Sequence, residues 1–189
     1  DANDNLTGKR VTTSDYASAS YYYVNKSSLP KVYGGFNTSL SWKGFDLSAI
    51  FAYSIGGYIY NRDITMILHN GSLEGRDWST EILKRWTPEN RYTDVPALST
   101  TSNNWNSAST RFLQNNSYMR LKNLTLSYDL PKQWISKLAL SSVQVFVQGD
   151  NLFTIHRNQG LDPEQGITGI TYYRYPAMRT ISGGINLSF

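Results

Sequence analysis

The run YPAMRTISGGINLSF, Tyr175 to Phe189, alternates from Arg179 onward. Ile181, Gly183, Ile185, Leu187 and Phe189 take the odd positions, while Thr180, Ser182, Gly184, Asn186 and Ser188 take the even ones. Successive side chains of an extended chain point to opposite faces, so this pattern predicts a strand with one apolar and one polar side. No charge follows Arg179, and the strand runs to an aromatic last residue. Chain ends of water-soluble domains fray unless something ties them down. The expectation is a strand set between two different media.

Composition agrees. Aromatic residues make up 14% of the 189 and charged residues 17%, against about 25% charged in ordinary globular chains. No window reaches the roughly 18 consecutive apolar residues of a membrane-crossing helix. The chain has no cysteine, which excludes disulfides and thiolate metal sites. The formal charge is +4 with Lys and Arg scattered, so no nucleic-acid partner is expected. The opening DANDNLTGK has no Met, basic run or apolar run; either a leader has been removed or this is not the natural beginning.

Upstream, residues 1–33 read as a polar loop, with Pro30 suited to the start of a strand. Phe36, Leu40 and Trp42 then share one face. After Lys43-Gly44, Phe45, Leu47, Ala49, Phe51 and Tyr53 alternate with Asp46, Ser48, Ile50 and Ala52. Two residues between alternating runs, one of them Gly, predict a tight hairpin. Residues 57–115 form a long excursion. Ile64, Ile67 and Leu68 suggest one short helix ended by Asn70-Gly71, and Trp78, Ile82 and Trp86 a second, capped by Asp77 and stopped before Pro88. Leu124, Leu126, Tyr128 and Leu130 share even parity whereas Met119 and Leu121 are odd, which predicts a bulge near Lys122-Asn123. Pro131 opens a short helical turn through Trp134, Ile135 and Leu138. Val143, Val145 and Val147 begin another alternating run.

Five strands result, at about 34–42, 45–56, 116–130, 141–153 and 176–189. Their connections are alternately short and long, as in membrane β-barrels with tight periplasmic turns and long outer loops. Bacterial barrels use an even number of at least about 8 strands, and open edges are not tolerated in hydrocarbon. The fold class expected is therefore all-β, the end of a larger transmembrane barrel whose outer loops contain short helices. Residues 1–33 would be an extracellular loop segment and 34–189 barrel, with the C-terminus on the periplasmic side.

The segments LPKVYGGFNTSLSWKGFDLSAIFAYSIGGYIYN (29–61), RWTPEN and TDVP (85–96), SYMRLKNLTLSYDLP (117–131), VQVFVQGDNLFT (143–154), GLDPE (160–164) and YPAMRTISGGINLSF (175–189) occur in this order. Together they resemble the C-terminal part of the SusC/RagA-type TonB-dependent outer-membrane transporters of the Bacteroidetes. The resemblance implies the last five strands of a barrel of about 22, with the plug and earlier strands absent from this chain. It also implies a SusD-like surface lipoprotein, a TonB complex acting through the absent N-terminal part, and import of oligosaccharides or oligopeptides. Barrel assembly machinery and membrane lipids complete the expected partners.

Trp78, Trp86, Trp105, Tyr172 and Tyr173 fall in expected outer loops, as candidate contacts to substrate or lipoprotein or as packing within the loops. Trp42, Tyr53 and Tyr128 suit an interfacial aromatic girdle. Ile181, Ile185, Leu187 and Phe189 are candidates for closing the barrel and for the assembly signal. Asp162-Pro163-Glu164 reads as a surface turn, since turn neighbours do not supply a glycosidase's carboxyl geometry. His69 and His156 lack metal-ligand or triad spacing. No catalytic, metal or cofactor residue is assigned. The competing reading is a soluble carbohydrate-binding β-sandwich, which the long excursion and the uncharged apolar faces oppose.

Overall fold

The structure is a computed structural model describing residues 13, 15–71, 73–99, 104, 106–136, 140–158, 160–164 and 166–189. It divides into two units. The first comprises Ser27–Tyr58, Asn115–Gly169 and Arg174–Phe189; the second comprises the described residues up to Lys26 with Ile59–Gln114 and Ile170–Tyr173.

The first unit is built on a five-stranded sheet. Its strands are β1 (Pro30–Trp42), β2 (Phe45–Gly56), β5 (Tyr118–Asp129), β6 (Ser142–His156) and β8 (Thr180–Ser188), in that spatial order. Every pairing is antiparallel. Pro30 takes the first position of β1, where its missing N–H costs no ladder bond. The terminal strand covers Thr180–Ser188 within the expected 176–189, and β6 continues past the expected 153 to His156. Lys43 and Gly44 both have positive φ, at 49° and 87°, the two-residue hairpin geometry whose twist matches its flanking strands. α2 (Lys132–Ile135) follows Pro131, which sits as its cap rather than as its first helical residue.

Register carries the alternation across the whole sheet. Trp42 faces Phe45, Phe45 faces Tyr128, and Tyr128 faces Val145. Higher up, Phe36 stacks on Phe51 at 4.7 Å between ring centroids. Val145 and Leu187 lie opposite Ile185 and Val143 of their neighbouring strands. The apolar face is continuous and exposed: Ile185 is 62% and Leu40 67% accessible. Soluble monomers rarely expose an apolar patch beyond a few hundred Å². Trp42, Phe45 and Tyr128 line up at the hairpin end of this face, a row suited to a membrane boundary.

The ladder shifts register at the start of β1, between Pro30 and Val32, and again in the body of the sheet, where the alternation of β5 changes phase. Lys122 has no partner in either ladder, since Ile50 and Phe51 face Asn123 and Leu121. Opposite, Asn151 and Leu152 are passed over between Asp150 and Phe153, with Asn151 at φ 52°. The bulge returns Leu121 and Met119 to the apolar face below which Leu124, Leu126 and Tyr128 already lie. Close strand approach also requires glycine at Gly35, where a Cβ would come 2.8 Å from the Phe51 carbonyl oxygen. Gly35→Ala in the full-length protein is expected to cost about 1–3 kcal/mol, read as a lower urea midpoint for the folded barrel.

A separate sheet has three short strands that the sequence pattern did not indicate: β3 (Tyr58–Asn61), β4 (Leu113–Asn115) and β7 (Ile170–Thr171), in the order β4-β3-β7. β3 and β7 are parallel. α1 (Arg62–Ile67) is capped by Asn61, whose Oδ1 accepts the Ile64 N–H at 3.1 Å. Leu68, Ile82 and Val95 form a small core with Ile64 packed on it.

The second expected helix is a 3₁₀ turn, Thr80–Lys84, capped by Ser79 and not by Asp77. The side chains of Asn90 and Thr93 donate to the Lys84 carbonyl at 2.9 and 2.6 Å. The Trp86 N–H goes to the Val95 carbonyl at 2.8 Å. The Trp86 N–H, which a longer helix would have paired with the Ile82 carbonyl, thus takes a downstream partner, and the Lys84 carbonyl could have had none in such a helix because position 88 is proline. Among the described residues no helix is long and apolar enough to cross a membrane.

Candidate functional site: a loop latched to the polar sheet face

The other face of the large sheet is polar and internally bonded. Asn123 donates to Asp150 at 2.8 Å, Thr125 to Asn123 at 2.9 Å, and Gln148 to Asp150 at 3.2 Å. Farther along, Gln144 donates to Asp129 at 3.0 Å and Asn186 to Gln144 at 3.2 Å. Amides, hydroxyls and the carboxylates of Asp129 and Asp150 make a wall that water can wet, interrupted by Ile50. Phe146 lies over Gly184, where a Cβ would meet its ring at 2.8 Å.

At the end of this face remote from the hairpin, one loop is fastened down. Arg120 on β5 has a side chain only 4% exposed. Its Nε donates to Thr154 Oγ1 at 2.9 Å, its Nη1 to Glu164 at 2.7 Å, and its Nη2 to Asp162. Asp162 Oδ1 also accepts the Glu164 N–H at 2.9 Å, and its Oδ2 the Ala177 N–H at 2.6 Å. Lys122, the bulge residue, bonds both Glu164 oxygens at 2.6 and 2.7 Å. Asn116 donates to the Pro163 carbonyl at 2.8 Å and accepts from Asn158 at 2.9 Å. A planar guanidinium fork suits two carboxylates and a hydroxyl at once, which a lysine would not match.

Burial pushes the Asp162 carboxyl up, but the N–H groups of Ala177 and Glu164, with Arg120, more than offset it and hold it below the usual aspartate range. Asp162 is therefore a fixed anion at neutral pH rather than a general acid. The turn read as surface is a latch. Its sequence signal was two carboxylates on one side of a turn, and a lone arginine on the polar parity of a strand.

The candidate aromatics divide by surroundings. In the second unit, Tyr172 and Tyr173 lie together, ring centroids 4.4 Å apart, with the Arg62 guanidinium 4.7 Å over Tyr172. Asp63 accepts the Tyr173 N–H at 3.0 Å and Arg76 donates to its hydroxyl at 3.2 Å, holding Tyr173 at φ 47°. Trp78 is anchored separately: its indole N–H donates to Nδ1 of buried His69 at 3.1 Å, which also accepts the Gly71 N–H at 3.1 Å. His69 is thus a structural acceptor. Trp86 stands half-exposed beside the 3₁₀ turn. Trp105 lies outside the described residues, as does Leu138. Ile181, Ile185 and Leu187 join the apolar sheet face, and Phe189 follows β8 fully exposed.

This two-faced sheet has known counterparts. The TonB-dependent receptor P3 of Formosa agariphila is 33% identical over 166 residues, 82% of this chain and 16% of that protein. The TonB-dependent receptor SusC of Bacteroides thetaiotaomicron is 27% identical over 88% of the chain. A chain of the RagAB peptide importer in its closed-closed state superposes with a TM-score of 0.82 at 35% identity, over 97% of this chain and 20% of that one.

The chain belongs to the SusC/RagA-type TonB-dependent receptors.

It spans about a sixth of the length of the curated relatives it matches. No family model matches it. Receptors of this type are outer-membrane proteins, which supplies the missing solvent for the apolar sheet face: lipid. The polar face, with its latched loop, is then the lumenal one.

Proposed function

We propose that this chain is the last part of the barrel of an outer-membrane importer for oligosaccharides or oligopeptides. It would be five strands of about 22, with plug, TonB contact and earlier strands supplied by the rest of the protein. One observation carries the reading: the sheet gathers its apolar residues on one face and its hydrogen-bonded polar residues on the other, on a backbone that superposes on a RagAB chain with a TM-score of 0.82. That neighbour's role as a peptide importer supports an oligopeptide cargo. A SusD-like lipoprotein closes over the outer loops, as the likeness to SusC and RagAB supports.

In this reading the Lys43–Gly44 turn and residues 130–141 face the periplasm, as does Phe189. Residues 57–117 and 157–179 lie outside, and 1–33 belong with them. Tyr172 and Tyr173 of the one outer segment, and Trp78 and Trp86 of the other, offer ring faces to cargo or lipoprotein. The first strand of the complete barrel pairs with the free edge of β8, and Ile181, Ile185, Leu187 and Phe189 serve as the signal for the assembly machinery. The chain itself contributes wall and loops, with no catalytic step.

Deleting the gene for the full-length receptor should abolish uptake of a labelled oligopeptide mixture or an oligosaccharide mixture by the native bacterium. Affinity purification of the receptor from detergent extracts should bring down one surface lipoprotein. Recovery of the folded receptor from the soluble fraction without detergent would sink the proposal.

A further inference from the structure

The lipid-facing side of the sheet is not uniform. Near the far ends of β2, β5 and β6 it is indented by a groove of about 540 Å³. Tyr53 and Ile55 of β2 and Ile155 of β6 line it across Met119 of β5, all four on the lipid-facing alternation. The lining changes character where the strands end, at Asn115, Ser117 and Arg157.

That end is rich in donors. Ser117 Oγ accepts the Gly56 N–H at 2.9 Å and keeps its own proton for another acceptor. Asn115 Oδ1 accepts the Ser117 N–H at 2.8 Å, which leaves its amide NH₂. Arg157 is exposed and carries a full guanidinium fork. His156 also lines the groove, with Nδ1 engaged by Asn158. No carboxylate is among the lining residues. An apolar slot ending in a cation and neutral donors matches an acyl chain ending in an anionic, acceptor-rich headgroup.

Resting on the outer-membrane reading above, we infer that this groove is a binding site for an anionic phosphate-bearing membrane lipid of the surrounding leaflet. The acyl chain lies over Met119 between Ile55 and Ile155, and the headgroup is held by Arg157, Ser117 and Asn115. The site is continuous with the lipid interface of the barrel. Ordinary annular contact would use the same apolar residues but would not discriminate between headgroups.

The test uses the full-length receptor, purified in detergent and titrated with phosphatidylglycerol or phosphatidylcholine while retained lipid is counted by native mass spectrometry. Phosphatidylglycerol should be retained about fivefold more tightly, the effect of one cation at an anionic headgroup. Arg157→Gln should bring the two lipids level. Met119→Trp, which fills the slot with a residue the membrane boundary tolerates, should lower retention of both. Equal retention by wild-type receptor, or an unchanged preference in Arg157→Gln, overturns the inference. Retention of neither lipid also overturns it, and points to a polypeptide as the natural cover. A receptor absent from the membrane fraction would instead overturn the outer-membrane reading on which the inference rests.

Discussion

Replacing Arg120 with methionine in the full-length receptor is expected to release the segment around Asp162-Pro163-Glu164 from the barrel wall while the strand ladder persists. Arg120 is buried and holds Thr154, Asp162 and Glu164 through three different nitrogens. Removing one partner of a buried ion pair costs about 3–5 kcal/mol, because the other charge is left without compensation. The ladder between β5 and β6 uses backbone groups and does not depend on that side chain. Protease added to intact cells should therefore cut the variant within residues 157–169 and spare the wild type, while both keep the folded-barrel band on unheated gels. Equal protease resistance would show that the latch does not hold the loop.

The same latch has a pH dependence of known sign. The Asp162 carboxyl in the folded protein lies below its ordinary value of 3.8. A carboxyl depressed on folding contributes stability that is complete above the ordinary value and disappears as pH falls through the folded one. Wild-type protection should persist through mild acidity and fail only under strong acid. Asp162→Asn should be cut at neutral pH, with the acid step reduced.

The second large effect concerns Leu124, set between Ala49 and Gly149 on the lipid-facing side near the middle of β5. Leu124→Arg is expected to destabilise the barrel by about 2–4 kcal/mol, the cost of an arginine at the bilayer midplane, whereas the same change at Tyr128 near the hairpin end should cost about 0–1 kcal/mol. Thr125→Arg, one residue away on the lumenal face, should leave assembly close to wild type. Amounts of folded receptor in outer-membrane fractions read all three. Equal tolerance of Leu124→Arg and Thr125→Arg would remove lipid from that face.

The large sheet was legible because its cause is local. A period of two at Phe45–Tyr53 or at Ile181–Phe189 depends only on which medium each face meets, and the phase break at Lys122 left its mark as a parity change. The Lys43-Gly44 turn was legible for the same reason: the positive φ it needs restricts the residues that fit. The latch was not legible, because Arg120 and Glu164 are far apart in sequence and no local rule couples them. The short strands β3, β4 and β7 were hidden likewise, since two to four residues give too few positions to show a period. The 3₁₀ turn at Thr80–Lys84 shows spacing misleading: Trp78, Ile82 and Trp86 fit a helix, but the Trp86 N–H that such a helix would have paired with Ile82 goes to Val95 instead. Tyr172 and Tyr173 could be named from sequence, but their pairing with Arg62, Asp63 and Arg76 required the fold.

The bulge at Lys122 and Asn151 also bears on how such a receptor can be re-engineered. Strand phase on β5 is set independently on either side of it, even on the hairpin side and odd beyond, whereas β6 passes over two residues and keeps its parity. A loop cassette transplanted from another receptor has to be cut on the hairpin side of the bulge and bring its own bulge along. A junction placed on the far side would combine two phasings, turning Met119 and Leu121 inward and Arg120 out into lipid. The natural exchange boundary of this chain is therefore a single backbone irregularity, and not the point where the strands end.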